Sequence, residues 1–373
     1  RLLFSKNGLC AEQTTAKHEQ SRPKESHLIF CAPWFENGVQ LRSSLAIASL
    51  PRTKAAVFEP IRYLNRVRTR ISASEFEHKV DSFMEGILSR LQSRNVDDKN
   101  LAALWTEVLG ERNNPKASER RILEAILGFD PDEAPDELLK QVLNDVDQLG
   151  RNAVVEVAAE ARDSAPKVLE LIRELLKAKG KPKGGGFRVS LPDLNIPPGF
   201  DERLERPWQK GSELAKIARK QWGFDGEPVE NAKLANLIDT KSTLFTNSLT
   251  SGTRIPFGVR KGSTGLFDVF FDSPNETSRR FAICRMIGDH LFFASQEMLL
   301  PTTRAKTARQ QFQRAFAQEF LCPFEALRQR LPSQPDEDDI SNVAKSFDVS
   351  PLLVRTTLVN KGELDREALN WND

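Results

Sequence analysis

Apolar residues recur every three to four positions over most of residues 74–179, which is the spacing of one buried face of an α-helix. Short polar loops with Gly and Pro separate the periodic stretches, so the pattern predicts an all-α bundle or an array of helical hairpins. The predicted helices run from Ser74 through Leu91 and over residues 100–108, 115–128, 132–150, 152–161 and 165–179.

A Gly- and Lys-rich segment ends this helical region. Its glycines make residues 180–186 flexible and its lysines keep them solvated, so the segment is predicted to be a linker. The sequence is therefore divided into an irregular, basic N-terminal segment (1–57), a helical domain (58–179), the linker (180–186) and a second domain (187–373).

The second domain combines helices with a small sheet. Apolar spacing predicts helices from Pro207 to Trp222 and from Pro228 onward, and alternation predicts a β-hairpin over 255–271 with its turn at 262–265. Residues 339–362 have the pattern of a helix-turn-helix pair, whose second helix begins at Ser350 and Pro351. The predicted fold class is α+β, with an all-α N-terminal region and a C-terminal domain of helices plus a small antiparallel sheet.

Residues 273–293 are predicted to form the central helix of this domain, directly after a strand at 266–271. Ser273 and Glu276 predict a capping box at its start, with Pro274 in the first turn. Residues at helical spacing predict one buried face, which consists of Phe281, Cys284, Gly288 and Leu291.

The predicted helix follows a strand, starts with Arg-Arg-Phe and carries Gly-Asp-His-Leu in its third turn. This arrangement resembles the active-site helix of ImmA/IrrE-type metallopeptidases. In that family the helix usually reads Arg-Phe-x-x-x-His-Glu-x-x-His-x-Leu. The element order of residues 207–362 is similar as well, and residues 316–323 resemble the family's Phe-Ala-x-x-Leu-x-x-Pro stretch. The resemblance implies that the C-terminal domain is zincin-like.

The residues that carry the family's chemistry are replaced in this chain. On the family pattern, Arg285 and Asp289 stand where the two zinc histidines belong, Met286 replaces the general-base glutamate, and the third ligand would fall at 310–312. Catalysis needs two imidazoles one helical turn apart and a carboxylate beside them, and a guanidinium has no lone pair for a metal. No catalytic residue, metal or cofactor is therefore expected.

Arg285 and Asp289 are four residues apart on one helix, so they are predicted to form an ion pair that fills the former metal cavity, with Glu319 nearby. The alternative is a polar pocket of Arg285, Asp289, His290 and Glu319 that recognises a ligand or a peptide backbone. A metallopeptidase with an atypical site is a further alternative, and it requires some of His290, Asp289, Cys284, Cys322 and Glu319 to converge.

The formal net charge of +2 does not mark the whole chain as a polyelectrolyte binder. The most basic stretch follows Glu59, where a helix is predicted to carry a basic patch of Arg62, Arg66, Arg68 and Arg70. This patch would contact phosphates or an acidic partner, unless it is only a solvated helix face. The C-terminal helix pair suggests a DNA-binding regulator as another function, but acidic residues at 336–339 oppose it, and the family resemblance implies that the pair packs on the domain.

The four cysteines lie far apart without a Cys-x-x-Cys pair, which predicts reduced thiols, and the sequence shows no membrane span or signal peptide. A cytoplasmic protein without membrane association is expected. The family resemblance implies a non-catalytic regulatory or protein-interaction module of a bacterial system such as repressor control, toxin–antitoxin or phage defence. A protein partner is expected, while its identity and the oligomeric state are not determined by the sequence.

Overall fold

The computed structural model describes residues 29–31, 44–48, 68–96, 99–177, 186–204, 206–262, 265–293 and 297–369. The chain forms two compact units, Arg1–Ala134 and Pro135–Asp373. The linker predicted at 180–186 lies outside the described residues apart from Gly186, so the domain limits read from the sequence stay a prediction.

The first unit contains a three-stranded antiparallel sheet, in the order β1-β2-β3, followed by three helices. The strands are β1 (Ile29–Cys31), β2 (Ser44–Ala48) and β3 (Arg68–Ser72), and the helices are α1 (Ala73–Ser93), α2 (Lys99–Asn113) and α3 (Pro115–Leu127). Gly128 ends α3 in the left-handed region at φ 90°, at the position where the sequence predicts the stop. The N-cap of α1 is Ser72 rather than Ser74, because the Ser72 side chain accepts a hydrogen bond from the Glu75 amide.

The expectation of an all-α N-terminal region is wrong for this sheet. Arg68 and Arg70 lie on β3, which pairs along the whole length of β2, and not on a helix. The β-branched residues Thr69 and Ile71 favour an extended chain at this point. Arg62 and Arg66, the other members of the predicted basic patch, lie outside the described residues.

The second unit begins with three helices and continues with a four-stranded sheet surrounded by helices. In chain order its helices are α4 (Asp136–Leu149), α5 (Arg151–Ala161), α6 (Ala165–Leu176), α7 (Phe200–Arg203), α8 (Pro207–Gln221), α9 (Asn231–Leu237), α10 (Thr243–Thr246), α11 (Glu276–Phe292), α12 (Ala308–Leu321), α13 (Phe324–Gln329), α14 (Glu337–Ser346) and α15 (Pro351–Lys361). Its strands are β4 (Phe187–Ser190), β5 (Phe257–Arg260), β6 (Leu266–Phe270) and β7 (Leu299–Pro301).

All strand pairs in this sheet are antiparallel, and the strand order is β4-β6-β5-β7. The hairpin of β5 and β6 is the one that the sequence predicts around residues 262–265. The α+β class is therefore confirmed, with most of the described residues in helices. Among the described helices, none is long and apolar enough to cross a membrane.

The core of the second unit is built around α11, which packs between α12 and the sheet. Residues 279–289 of the helix are buried except Phe281, so burial is not confined to one face, and Phe281 and Leu291 of the predicted buried face are only half-buried. Two glycines permit the close approach of its neighbours: a Cβ at Gly288 would lie 2.6 Å from the Phe316 ring, and one at Gly211 of α8 would lie 2.3 Å from the Phe312 carbonyl oxygen.

The start of α11 differs from the predicted capping box. Asn275 is the N-cap, since its side chain accepts from the Ser278 amide, while the Ser273 hydroxyl accepts from the Asn275 amide outside the helix. Asn caps helices as well as Ser does, and the sequence pattern could not rank the two.

The C-terminal pair, α14 and α15, packs on the same core. Ser350 caps α15, with Pro351 in its first turn, as predicted. The turn between the two helices is held from α11, because the Arg280 guanidinium donates to the carbonyl oxygens of Phe347 and Asp348. The pair is thus an integral part of the second unit.

Candidate functional site

A cluster of polar side chains is buried where α5, α11 and α12 meet the loop 302–307 that follows β7. We call it the polar cluster, and its members are Glu156, Arg285, Asp289, Glu297, Thr303, Arg309 and Gln310. Six of these residues are less than 9% exposed, and the Glu297 side chain is 17% exposed. Burying so many charges is unfavourable unless each one has a partner, so the partners define what the cluster can do.

Asp289 is paired with Arg309 of α12 and not with Arg285. Arg309 Nε donates to Asp289 Oδ1 at 2.8 Å and Nη2 donates to Oδ2 at 2.7 Å, a two-pronged contact that matches the planar groups. Arg309 Nη1 also donates to Glu297 Oε2 at 2.6 Å. Burial alone would lower the pKa of Arg309, but the carboxylates of Asp289 and Glu297 raise it. The predicted Arg285–Asp289 ion pair is therefore wrong.

Glu297 joins this pair to the start of α5. Its Oε1 accepts a hydrogen bond from the Asn152 amide at 3.0 Å. Gly150, which has φ of 100°, lies against the same side chain, and a Cβ there would lie 2.9 Å from Glu297 Cγ. The glycine thus allows α5 to approach the ion pair closely.

Arg285 contacts uncharged acceptors instead. Its Nη2 donates to the Thr303 carbonyl oxygen at 2.6 Å and to Gln310 Oε1, while its Nε is buried without a hydrogen-bond partner. Burial and then the neighbouring Arg314 lower the pKa of Arg285 to about 9, so its guanidinium is still charged at neutral pH. A buried charge of this kind has no compensating carboxylate in contact.

Gln310 has every polar atom of its side-chain amide engaged. Its Oε1 accepts from the Thr303 amide at 3.0 Å as well as from Arg285, and its Nε2 donates to the Pro301 carbonyl oxygen at 3.1 Å. The amide therefore holds the loop after β7 against α12. Gln310 is the first of the three positions, 310–312, where the resemblance would place the third metal ligand.

Glu156 of α5 is the member of the cluster that sequence analysis missed. Its Oε2 accepts from the Thr303 hydroxyl at 3.2 Å, and the residue is 1% exposed. Burial raises the pKa of Glu156 to about 7, against the lowering effects of Thr307 and Arg309. The only signal in the sequence was a lone Glu between two valines, Val155 and Val157, on a helix that is otherwise apolar there.

His290 and Glu319, which the sequence grouped with Arg285 and Asp289, have other surroundings. His290 stacks on Phe267 with ring centroids 5.0 Å apart, and its Nδ1 lies 2.7 Å from Arg260 Nη1. A guanidinium can only donate, so Nδ1 is the acceptor and the ring proton lies on Nε2. Burial and Arg260 lower the pKa of His290 to about 4, which keeps the ring neutral at pH 7.

Glu319 lies on α12 near Lys216 and Lys361, and it makes no hydrogen bond to the polar cluster. Cys284 and Cys322 are buried in the apolar core, where burial raises the pKa of each thiol to about 12. Among the described residues, no group of three His, Cys, Asp or Glu side chains could hold a metal ion.

The basic side chains of α15 have partners inside the second unit. Arg355 forms an ion pair with Glu337 of α14, and the Lys361 ammonium lies 4.9 Å from the centre of the Phe324 ring. Both side chains therefore contact their own domain, whereas a DNA-reading helix would direct them toward phosphates.

The positions that the family resemblance assigns to the metal site converge in space, with one exception. Arg285 contacts Gln310, and Asp289 contacts the adjacent Arg309. Met286, at the general-base position, is fully buried in the apolar core instead. Comparison of the chain with protein-family models, with curated proteins and with solved structures finds no match.

Proposed function

We propose that the second unit has the zincin-like scaffold of ImmA/IrrE-type metallopeptidases without their hydrolytic site. The protein then acts as a non-catalytic regulatory or protein-interaction module of a bacterial cytosolic system, such as repressor control, toxin–antitoxin or phage defence. Its partner is a protein.

The observation that carries this proposal is the convergence of positions 285, 289 and 310. The spacing of the family pattern points to positions 285 and 289 on one helix and to the range 310–312 on another, and the side chains of Arg285, Asp289 and Gln310 belong to one buried cluster. Active-site helices of a metallopeptidase must converge in this way because their ligands share one ion. The convergence supports α11 and α12 as the counterparts of those helices.

The chemistry of these side chains favours the loss of hydrolysis. A guanidinium offers no lone pair, both oxygens of Asp289 are held by Arg309, and the Gln310 oxygen already accepts two hydrogen bonds. Met286 cannot remove a proton from water. The cluster can hold α5, α11, α12 and the loop 302–307 together, or bind a ligand, but among the described residues it offers no set of ligands for a metal ion that would activate water.

Metal content and peptidase activity of the purified full chain test the proposal directly. We expect no stoichiometric divalent metal after incubation with zinc and washing, and no hydrolysis of an unstructured protein substrate such as casein. A stoichiometric ion together with hydrolysis that a chelator abolishes would overturn the proposal.

A variant that restores the ligands tests the scaffold itself. Arg285→His, Asp289→His and Gln310→Glu supply the three protein ligands of a catalytic zinc site, and Arg309→Met removes the cation that would oppose the metal. We expect this combination to bind one zinc ion, measured by elemental analysis. The matched control carries Arg309→Met and Gln310→Glu only, and it should bind none. A folded four-site variant that binds no more zinc than the control would count against the zincin-like scaffold.

A further inference from the structure

The buried arginines of α11 differ in how many of their donors are used. All three nitrogens of Arg279 donate to carbonyl oxygens, and all three nitrogens of Arg280 donate to protein acceptors. Arg285, 8% exposed, donates to protein acceptors through Nη2 alone, and its Nε is buried without a partner. Unused donors on a buried charge are costly, so the side chain is suited to a further acceptor.

A second guanidinium, that of Arg314, is close enough to repel that of Arg285 and lower its pKa. Arg314 follows Gln310 by one helical turn, so the two side chains share a face of α12. Its Nη2 donates to the Ala305 carbonyl oxygen at 3.0 Å, two residues along the loop from the Thr303 carbonyl that Arg285 holds. Among the described residues, neither Arg285 nor Arg314 forms an ion pair with a carboxylate.

The groups around the two arginines leave their charge only partly balanced. Burial lowers the pKa of Arg314 as well, and each guanidinium is influenced by Glu156 and Glu160 of α5. Glu160 is already engaged, since its Oε2 accepts from the Arg304 amide at 3.0 Å. The carboxyl of Glu156, with its pKa of about 7, is only partly ionised at neutral pH. The neighbouring Asp289 is neutralised by Arg309.

We propose that Arg285 and Arg314 bind a phosphate-type oxyanion beside the loop 302–307. Two guanidiniums that lack carboxylate partners match a tetrahedral dianion better than they match a single carboxylate, because each can donate to a different oxygen of the dianion. Inorganic phosphate and the phosphate of a monoester share this chemistry. The inference rests on the proposed function in one respect: it assigns the cluster to recognition and not to hydrolysis.

Calorimetric titration of the full chain with inorganic phosphate, at constant ionic strength, tests this site. We expect one phosphate per chain, and we expect Arg314→Gln to weaken binding by roughly tenfold or more, the effect of losing a charge-assisted hydrogen bond. Arg285→Met should abolish binding. Arg328→Gln is the matched control, since Arg328 is ion-paired with Glu363 on another part of the unit, and it should bind phosphate as the parent chain does.

Other anions identify the ligand chemistry and its source. Acetate, a monoanion, should not compete with phosphate, whereas a phosphomonoester that binds more tightly than inorganic phosphate would show that the natural ligand is an ester. Sulfate keeps its charge across neutral pH, so its binding should weaken as Glu156 ionises above pH 7, and Glu156→Gln should remove that dependence.

The unfolding midpoint in urea shows whether Arg285→Met is folded. Phosphate binding that persists in the folded variant would overturn the proposed site, and so would the absence of phosphate binding to the parent chain. Neither result bears on metal content or peptidase activity, so failure of the oxyanion site and failure of the proposed function are distinguishable. A chain that binds stoichiometric zinc and hydrolyses casein in a chelator-sensitive way would overturn the proposed function whatever its affinity for phosphate.

Discussion

Arg309 and Arg285 are both buried in the polar cluster, yet their surroundings differ. Arg309 contacts two carboxylates and uses all three of its nitrogens. Arg285 contacts a carbonyl and an amide through one nitrogen. Burial alone therefore does not distinguish a structural arginine from one suited to binding a ligand. The hydrogen-bond partners of each nitrogen distinguish the two arginines. Substitutions at the two positions should therefore have unequal effects on the unfolding free energy.

The largest effect is expected from Arg309→Met. The substitution leaves Asp289 buried without its partner and frees Glu297 from the ion pair, and breaking a buried pair on one side typically costs about 3–5 kcal/mol of unfolding free energy. Urea unfolding, followed by tryptophan fluorescence, measures the loss.

The matched control for this change is Lys140→Met, which breaks an exposed, solvent-screened pair with Glu137 and should leave the unfolding free energy essentially unchanged. If Arg309→Met were no more destabilising than the control, Asp289 would have to be satisfied by another group, and the contrast between the two arginines would disappear.

Glu156 makes the unfolding free energy depend on pH, and burial of its carboxyl determines the direction of that dependence. Its pKa is raised from 4.5 to about 7 on folding, so the unfolded chain releases this proton more readily. The contribution of Glu156 to the unfolding free energy is fully present below pH 4.5, where its carboxyl is protonated. It is lost as the pH rises to about 7, which lowers the unfolding free energy by about 3 kcal/mol. The unfolding free energies of the parent chain and of Glu156→Gln are measured across this pH range. The difference between the two curves gives the contribution of Glu156. Parallel curves would mean that Glu156 ionises equally well in the folded chain.

The sequence predicts those features of the fold that a few neighbouring residues determine. Pro115 and Gly128 delimit α3, Ser350 and Pro351 begin α15, and β5 pairs with β6 as the predicted hairpin requires, because caps and hairpins depend on a few adjacent residues. The spacing of the family pattern also points to positions 285 and 289 and to the range 310–312, of which Arg285, Asp289 and Gln310 lie in one cluster.

The partners inside the cluster could not be predicted in this way. Both Arg285 and Arg309 could have paired with Asp289, and only the directions of the side chains between α11 and α12 decide for Arg309. Glu156 reaches the cluster from a helix more than a hundred residues away in the chain, and no local pattern reports such a contact. At β3, tertiary pairing with β2 overrides the helical spacing of the arginines.

Gly288→Ala tests whether the spacing of α11 and α12 holds the cluster together. The new Cβ would lie 2.6 Å from Phe316 Cγ, so the two helices must separate, and overpacking of this kind typically costs about 1–3 kcal/mol. Gly86→Ala in α1 is the control, because a Cβ there meets nothing within 4 Å and should stabilise the helix by about 0.5–1 kcal/mol. Equal unfolding midpoints for Gly288→Ala and the parent chain would show that the ring of Phe316 moves aside freely.

The smallest effect on stability is expected from Arg285→Met. The variant loses the hydrogen bonds to Thr303 and Gln310, but it also removes a buried charge that has no carboxylate partner and that is repelled by Arg314. Replacement of buried charges by apolar side chains of similar size is often neutral or stabilising, so the unfolding free energy should change by less than about 1 kcal/mol in either direction. Urea unfolding of Arg285→Met and Arg309→Met under the same conditions measures the change in unfolding free energy for each variant. A loss as large as that of Arg309→Met would make Arg285 a structural plug of the cluster, because only a residue whose removal leaves the fold intact has its charge available for a ligand.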